Sequence, residues 1–153
     1  MKKLSALVVS LVVLLAGCAD SETEAASFEQ WMSEIDPQQV RWIEAGSSCG
    51  DDHCSYVFSQ EELEDAIDQL QLVTDLQCSH GQLTDQTGYR LTVVYEDQIF
   101  QFHCLEDGTV ALGFNDADTA AAFGCTGQQL IINNPDLWNF IVQTVECKCD
   151  LPQ

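Results

Sequence analysis

Apolar and polar positions along this chain recur with a period that switches several times, and each switch marks a new element. Phe28, Trp31, Met32 and Ile35 share one helical face behind a capping box from Ser27 to Gln30, and Asp36-Pro37 ends that helix. Residues 40–45 read as a strand carrying Trp42, residues 46–52 as a turn region, and residues 54–58 as the partner strand. Ser59 and Glu62 form a second capping box, opening a helix over 60–70 whose stripe is Leu63, Ala66, Ile67 and Leu70. A short strand is predicted over 72–78 and a polar loop over 79–88. Strict alternation then runs from Tyr89, broken by Glu96-Asp97-Gln98 and Glu106-Asp107-Gly108, so residues 89–114 read as an antiparallel meander. Phe100, Phe102 and Cys104 share the face that points to the core. Residues 115–123 read as a short helix, residues 129–133 as a strand, and Asn134-Pro135 as the cap and first position of a final helix. Leu137, Trp138, Ile141, Val142 and Val145 supply that helix's apolar face, and Cys147-Lys148-Cys149 reads as an extended tail stapling it to the body. The fold class is α+β: an antiparallel sheet with three to four helices mainly on one face, held by disulfides.

The first residues follow a different pattern. Met1-Lys2-Lys3 precedes an apolar run over 4–16, too short for a membrane-spanning helix, which ends in Leu15-Ala16-Gly17-Cys18. This segment resembles the lipobox of bacterial lipoproteins at all four positions. The resemblance implies cleavage before Cys18 and acylation of Cys18, a multi-chain anchor to the lipid bilayer; the plain alternative is an ordinary secretory signal. Residues 1–17 are then signal peptide, residues 18–26 a lipidated flexible tether, and residues 27–153 a single acidic domain. The location implied is the extracytoplasmic side of a bacterial envelope. Ala19 favours the outer membrane if the cell is Gram-negative, while Asp20 leaves the inner membrane open. Over residues 40–146 the order of elements also looks like the small soluble domains of many bacterial lipoproteins, a likeness of pattern that carries no function.

Charge narrows the partners. Removing residues 1–17 takes Lys2 and Lys3 and no acid, leaving three basic residues (Arg41, Arg90, Lys148) against 25 acidic ones, a formal charge of −22. Such a surface repels phosphate backbones and anionic headgroups, which excludes nucleic acid and leaves membrane attachment to the acyl chains. A solvated, non-sticky surface accounts for the acids, and attraction of a basic partner is the functional reading.

Seven cysteines remain beside Cys18: Cys49, Cys54, Cys78, Cys104, Cys125, Cys147 and Cys149. In an oxidising compartment they read first as a disulfide framework, most simply three bridges and one spare thiol, with a local Cys49–Cys54 bridge plausible. His53, His80 and His103 each lie beside or two residues from a cysteine, which makes them the candidate ligands of a metal site. None of the spacings matches a zinc pattern, and adjacent strand residues such as His103 and Cys104 point to opposite faces, so no metal and no cofactor is expected. No nucleophile elbow, zinc helix, phosphate loop or Cys-x-x-Cys occurs, and Asp116-x-Asp118 lacks the rest of a calcium loop. The sequence therefore points to a non-enzymatic binding or interaction module in the cell envelope, with a protein or envelope component as its partner. A metal-binding or thiol-redox protein using the His/Cys pairs is the alternative.

Overall fold

In the computed structural model the described residues are 21–49, 52–81, 85–115, 117–123 and 129–149. The chain runs α1 (Ser21–Ser33), β1 (Val40–Cys49), β2 (Asp52–Val57), α2 (Gln60–Gln71), β3 (Gln77–Gly81), β4 (Gln86–Tyr95), β5 (Gln98–Leu105), β6 (Val110–Phe114), α3 (Ala117–Ala122), β7 (Gln129–Asn133) and α4 (Pro135–Lys148). All seven strands join one antiparallel sheet in the order β2-β1-β4-β5-β6-β7-β3.

Local chemistry sets most boundaries. The Ser59 amide donates to Glu62 Oε2 at 2.9 Å, closing the box that starts α2. Asn134 accepts from the Leu137 amide at 2.8 Å with Pro135 next in line, starting α4. In the β5–β6 turn Asp107 accepts from both the amide and the hydroxyl of Thr109. Gly108 adopts φ +84° there. A Cβ on Gly108 would meet nothing within 4 Å, so backbone conformation alone calls for glycine.

Several boundaries differ from the sequence expectation, the first being the turn region read over 46–52, most of which is strand because β1 runs on to Cys49 and β2 starts at Asp52. Helix α1 starts at Ser21, so residues 21–26 are helical where a tether was expected, and Ser27 lies inside the helix. Ala25 extends the Phe28, Met32, Ile35 stripe by one turn and is buried with it, and that burial outweighs the weak local cap signal. Strand β3 starts at Gln77, because Asp75 turns the chain with φ +59° after α2. β3 and β4 also take in both ends of the stretch 79–88 read as a loop, through pairing with β7 and β5 that local pattern cannot show. Finally, α4 continues through Cys147 and Lys148, so the expected extended tail is helical up to Cys149.

The pleat sorts the sheet into a core face and an open one. Ile43 and Ala45 on β1, Leu91 and Val93 on β4, Phe100, Phe102 and Cys104 on β5, Val110 and Leu112 on β6, and Leu130 and Ile132 on β7 are buried in one cluster with the helices. Trp31 packs on Phe100 at 4.1 Å between ring centroids, Phe28 sits 6.1 Å from Phe102, and Phe123 after α3 closes that end edge-on to Phe28 and Phe100.

Strand order dictates how the helices run. β2 and β3 are the two edges of the sheet, so the connection between them, with α2 as its helical part, must cross from one edge to the other. α4 starts after β7, contacts β5, β4 and β1, and ends tied to β2. The two helices are therefore antiparallel. At one end Lys148 of α4 meets Glu62 of α2; at the other Asn134 donates to the Thr74 carbonyl at 2.5 Å.

Asn134 thus caps α4 and fixes it to the end of α2. Replacing it with alanine is expected to lower unfolding free energy by about 1–2 kcal/mol, the range of a lost cap. Asn134→Asp keeps the cap acceptor but presents a carboxylate to the Thr74 carbonyl, so it should not restore full stability. Urea unfolding of the three proteins measures this, and an alanine variant as stable as the parent contradicts it.

Candidate functional site

Sheet topology scatters the histidines that the sequence offered as ligands. His53 lies on β2, His103 on β5 and His80 on β3, three strands apart at each step. At about 4.8 Å per strand each step is roughly 14 Å, far beyond what one ion can bridge. Among the described residues no group of three His, Cys, Asp or Glu side chains is placed to hold a metal. His103 pairs across the sheet with Arg90, and burial followed by the Arg90 charge holds its pKa below the usual histidine value. A general base wants a carboxylate behind it, and here the neighbour is a cation. Its chain neighbour Cys104 points to the other face, where burial pushes the thiol up to about 12. His103 and Cys104 therefore form no nucleophile pair.

The cysteines also depart from expectation. Cys54 bonds Cys149 across 95 residues of sequence, which rules out the local Cys49–Cys54 bridge. Cys104 and Cys147 carry thiols, buried and exposed respectively. Two thiols among the cysteines expected to pair depart from the expectation of three bridges and one spare. Cys78 is buried on β3. Cys18, Cys125 and the side chain of Cys49 lie outside the described residues. The expectation that the Cys147-Lys148-Cys149 segment staples α4 to the body holds for Cys149.

Around that bridge sits a charged knot. Lys148 Nζ lies 2.5 Å from Glu62 Oε1 and 5.2 Å above the Tyr56 ring, and the Tyr56 hydroxyl donates to the same carboxylate at 2.7–2.8 Å. Hydrogen bonds from Lys148, Tyr56 and the Ser59 amide hold the Glu62 carboxyl at about 2. Arg41 pairs with Asp97 and Arg90 with Glu44. Every lysine and arginine among the described residues therefore faces a carboxylate.

At the opposite end of the α2–α4 pair the helices leave a groove of about 410 Å³. Leu72, Val73 and Phe140 give it an apolar floor and lip, while Gln69, Asn139, Gln143 and Asp136 form its polar walls. Leu72 is 72 % exposed, the most exposed large apolar side chain among the described residues. Asp65, Asp68, Gln69 and Leu72 recur at helical spacing on α2, as do Asp136, Asn139, Phe140, Gln143 and Cys147 on α4, so the groove lies between an α2 face carrying two aspartates and a largely uncharged α4 face carrying one. Sequence analysis missed it, since Leu72 reads as the start of a strand and Phe140 falls outside the apolar stripe of the last helix. The signal available was Leu72 and Phe140 themselves, apolar residues one step off the core stripes.

No family model matches this chain, and no curated protein or solved structure does either.

Two outcomes follow from the corner chemistry. A bridge closing 95 residues stabilises by about 4–5 kcal/mol in the chain-entropy limit, so mild reduction should lower the melting temperature markedly. Before reduction, native alkylation should modify Cys147 and spare buried Cys104; unchanged melting on reduction contradicts the stapled fold. The Glu62 carboxyl is depressed in the folded state, so its contribution is complete above the ordinary value of 4.5 and is lost as pH falls toward about 2. Glu62→Gln should therefore melt below the parent at neutral pH, with the gap closing between pH 4.5 and 2. A gap independent of pH would show that the ionised carboxylate is not the cause.

Proposed function

We propose that this chain is a lipid-anchored bacterial envelope protein whose exported domain is a non-enzymatic interaction module, docking a partner in the groove between α2 and α4. The observation that carries the docking surface is Leu72, an apolar side chain left in solvent at the lip of a cavity floored by Val73 and Phe140. A cavity of this size lies within the roughly 300–1,000 Å³ of ligand sites, and its lining is more polar than theirs usually is, with Leu72, Val73 and Phe140 set among amides and Asp136. The anchor rests on the lipobox resemblance at Leu15-Ala16-Gly17-Cys18, residues outside the described set. Among the described residues no helix is long and apolar enough to cross a membrane.

The metal-binding alternative loses its support with the histidines on separate strands. For thiol-redox chemistry the exposed thiol among the described residues is Cys147, two residues from the Cys54–Cys149 bridge, with no Cys-x-x-Cys around it.

Cys147 lies one turn beyond Gln143 on the groove face of α4, so a photo-crosslinking residue placed there samples the groove without changing its lining. In cells expressing the full chain, position 147 should give a discrete adduct. Exposed Val57, on the helix-free face of β2, should not. Gln143→Lys should remove the adduct, and Cys18→Ser should move the chain out of the membrane fraction. Equal crosslinking from positions 147 and 57, or none from either, would overturn the docking surface; membrane retention of Cys18→Ser would overturn the anchor.

A further inference from the structure

Resting on that docking surface, we infer that the groove's occupant is a basic, amphipathic helical segment of a partner protein. Three features of the groove select it. First, its apolar contacts are discrete: Leu72 on α2 and Phe140 on α4 stand on opposite sides of one cavity, the arrangement that accepts apolar side chains one or two turns apart on an inserted helix. Second, Gln69, Asn139 and Gln143 present carboxamides, which both donate and accept and so suit the polar flank of a polypeptide.

Third, the charge around the groove has one sign. Asp136 lines it, and Asp65 and Asp68 continue the Leu72 stripe along exposed α2. The basic residue carried by these two helices is Lys148, which sits at the far end and is engaged by Glu62. The mature chain's other cations, Arg41 and Arg90, are paired on the sheet. Among the described residues no cation stands at the groove's rim, so a partner bringing lysine or arginine beside its apolar face gains electrostatic complementarity and steering, while an acidic partner is repelled. The same field disfavours phosphorylated or otherwise anionic ligands. A neutral glycan would use the amides and Phe140 but would leave Leu72 and the carboxylates without a role.

The test uses the full chain purified in a neutral detergent, with a fluorescein-labelled helical peptide carrying leucines on one face and lysines on the other. A scrambled peptide of identical composition is the control. Fluorescence anisotropy should give a dissociation constant at least about tenfold tighter for the amphipathic peptide than for the scrambled one. Leu72→Asp separates docking from charge, because it adds a carboxylate while deleting the apolar anchor. The exposed side chain allows the change without disturbing the core. Docking predicts a loss of at least about tenfold for Leu72→Asp and a similar loss for Gln143→Lys, with melting temperatures close to the parent. Equal or tighter binding by Leu72→Asp, or equal binding of the scrambled peptide, reduces the interaction to diffuse charge and overturns the inference.

Neutral envelope oligosaccharides provide the further arm. Binding of these that disappears in Gln143→Lys, with no peptide binding, would overturn the basic-helix occupant while leaving the groove a docking site. The absence of both, together with no crosslinking from position 147 in cells, would remove the docking site itself.

Discussion

The order of strands in the sheet constrains everything packed on it. β2 and β3 follow one another in the chain yet occupy opposite edges, and the connection between them, built around α2, crosses the sheet. One helix cannot cover seven strands, so α4 returns across the same face, and α1 fills the remaining end with Phe28, Trp31 and Met32. The apolar face is buried only if these helices hold their crossing, and specific contacts fix it: the Cys54–Cys149 bridge and the Tyr56–Glu62–Lys148 knot at one end, Asn134 and Thr74 at the other, with Gln71 on the Ile35 carbonyl and Trp138 on the Leu105 carbonyl between helix and body.

Two antiparallel helices tied at their ends by specific contacts need not close along their length. Near the C-terminus of α2 they leave the groove in which Leu72 faces solvent above half-buried Phe140, bordered by acids that have no partner on either helix. The chain's high negative charge has an ordinary role in solvating the surface. Around this groove it acquires direction, because the three lysines and arginines among the described residues are spent elsewhere in pairs.

The cysteine and histidine patterns show where one-dimensional reasoning runs out. Proximity along the chain placed each histidine near a cysteine and suggested ligands, but strand pairing separates the three histidines by roughly 14 Å at each step. A cysteine count supplied three bridges, whereas burial seals Cys104 as a thiol and the last helical turn leaves Cys147 in solvent. Disulfide partners depend on which strands become edges, and that is a property of the assembled sheet. The helix start at Ser21 was hidden for a related reason: Ala25 gains its burial only once α1 lies on the sheet.

Sequence by itself determined the elements whose cause is local. The Ser59–Glu62 box, the Asn134-Pro135 cap, the two tight turns of the meander and the Phe100–Phe102–Cys104 face all follow from contacts within a few residues or from the period-two pleat. It also set the α+β class, through helical and strand periods in one chain. Tertiary structure alone decided the strand order, the Cys54–Cys149 pairing, the isolation of the histidines and the α2–α4 groove. Each of these depends on residues distant in sequence meeting when the sheet closes over its core, and no local propensity encodes which distant partners will meet.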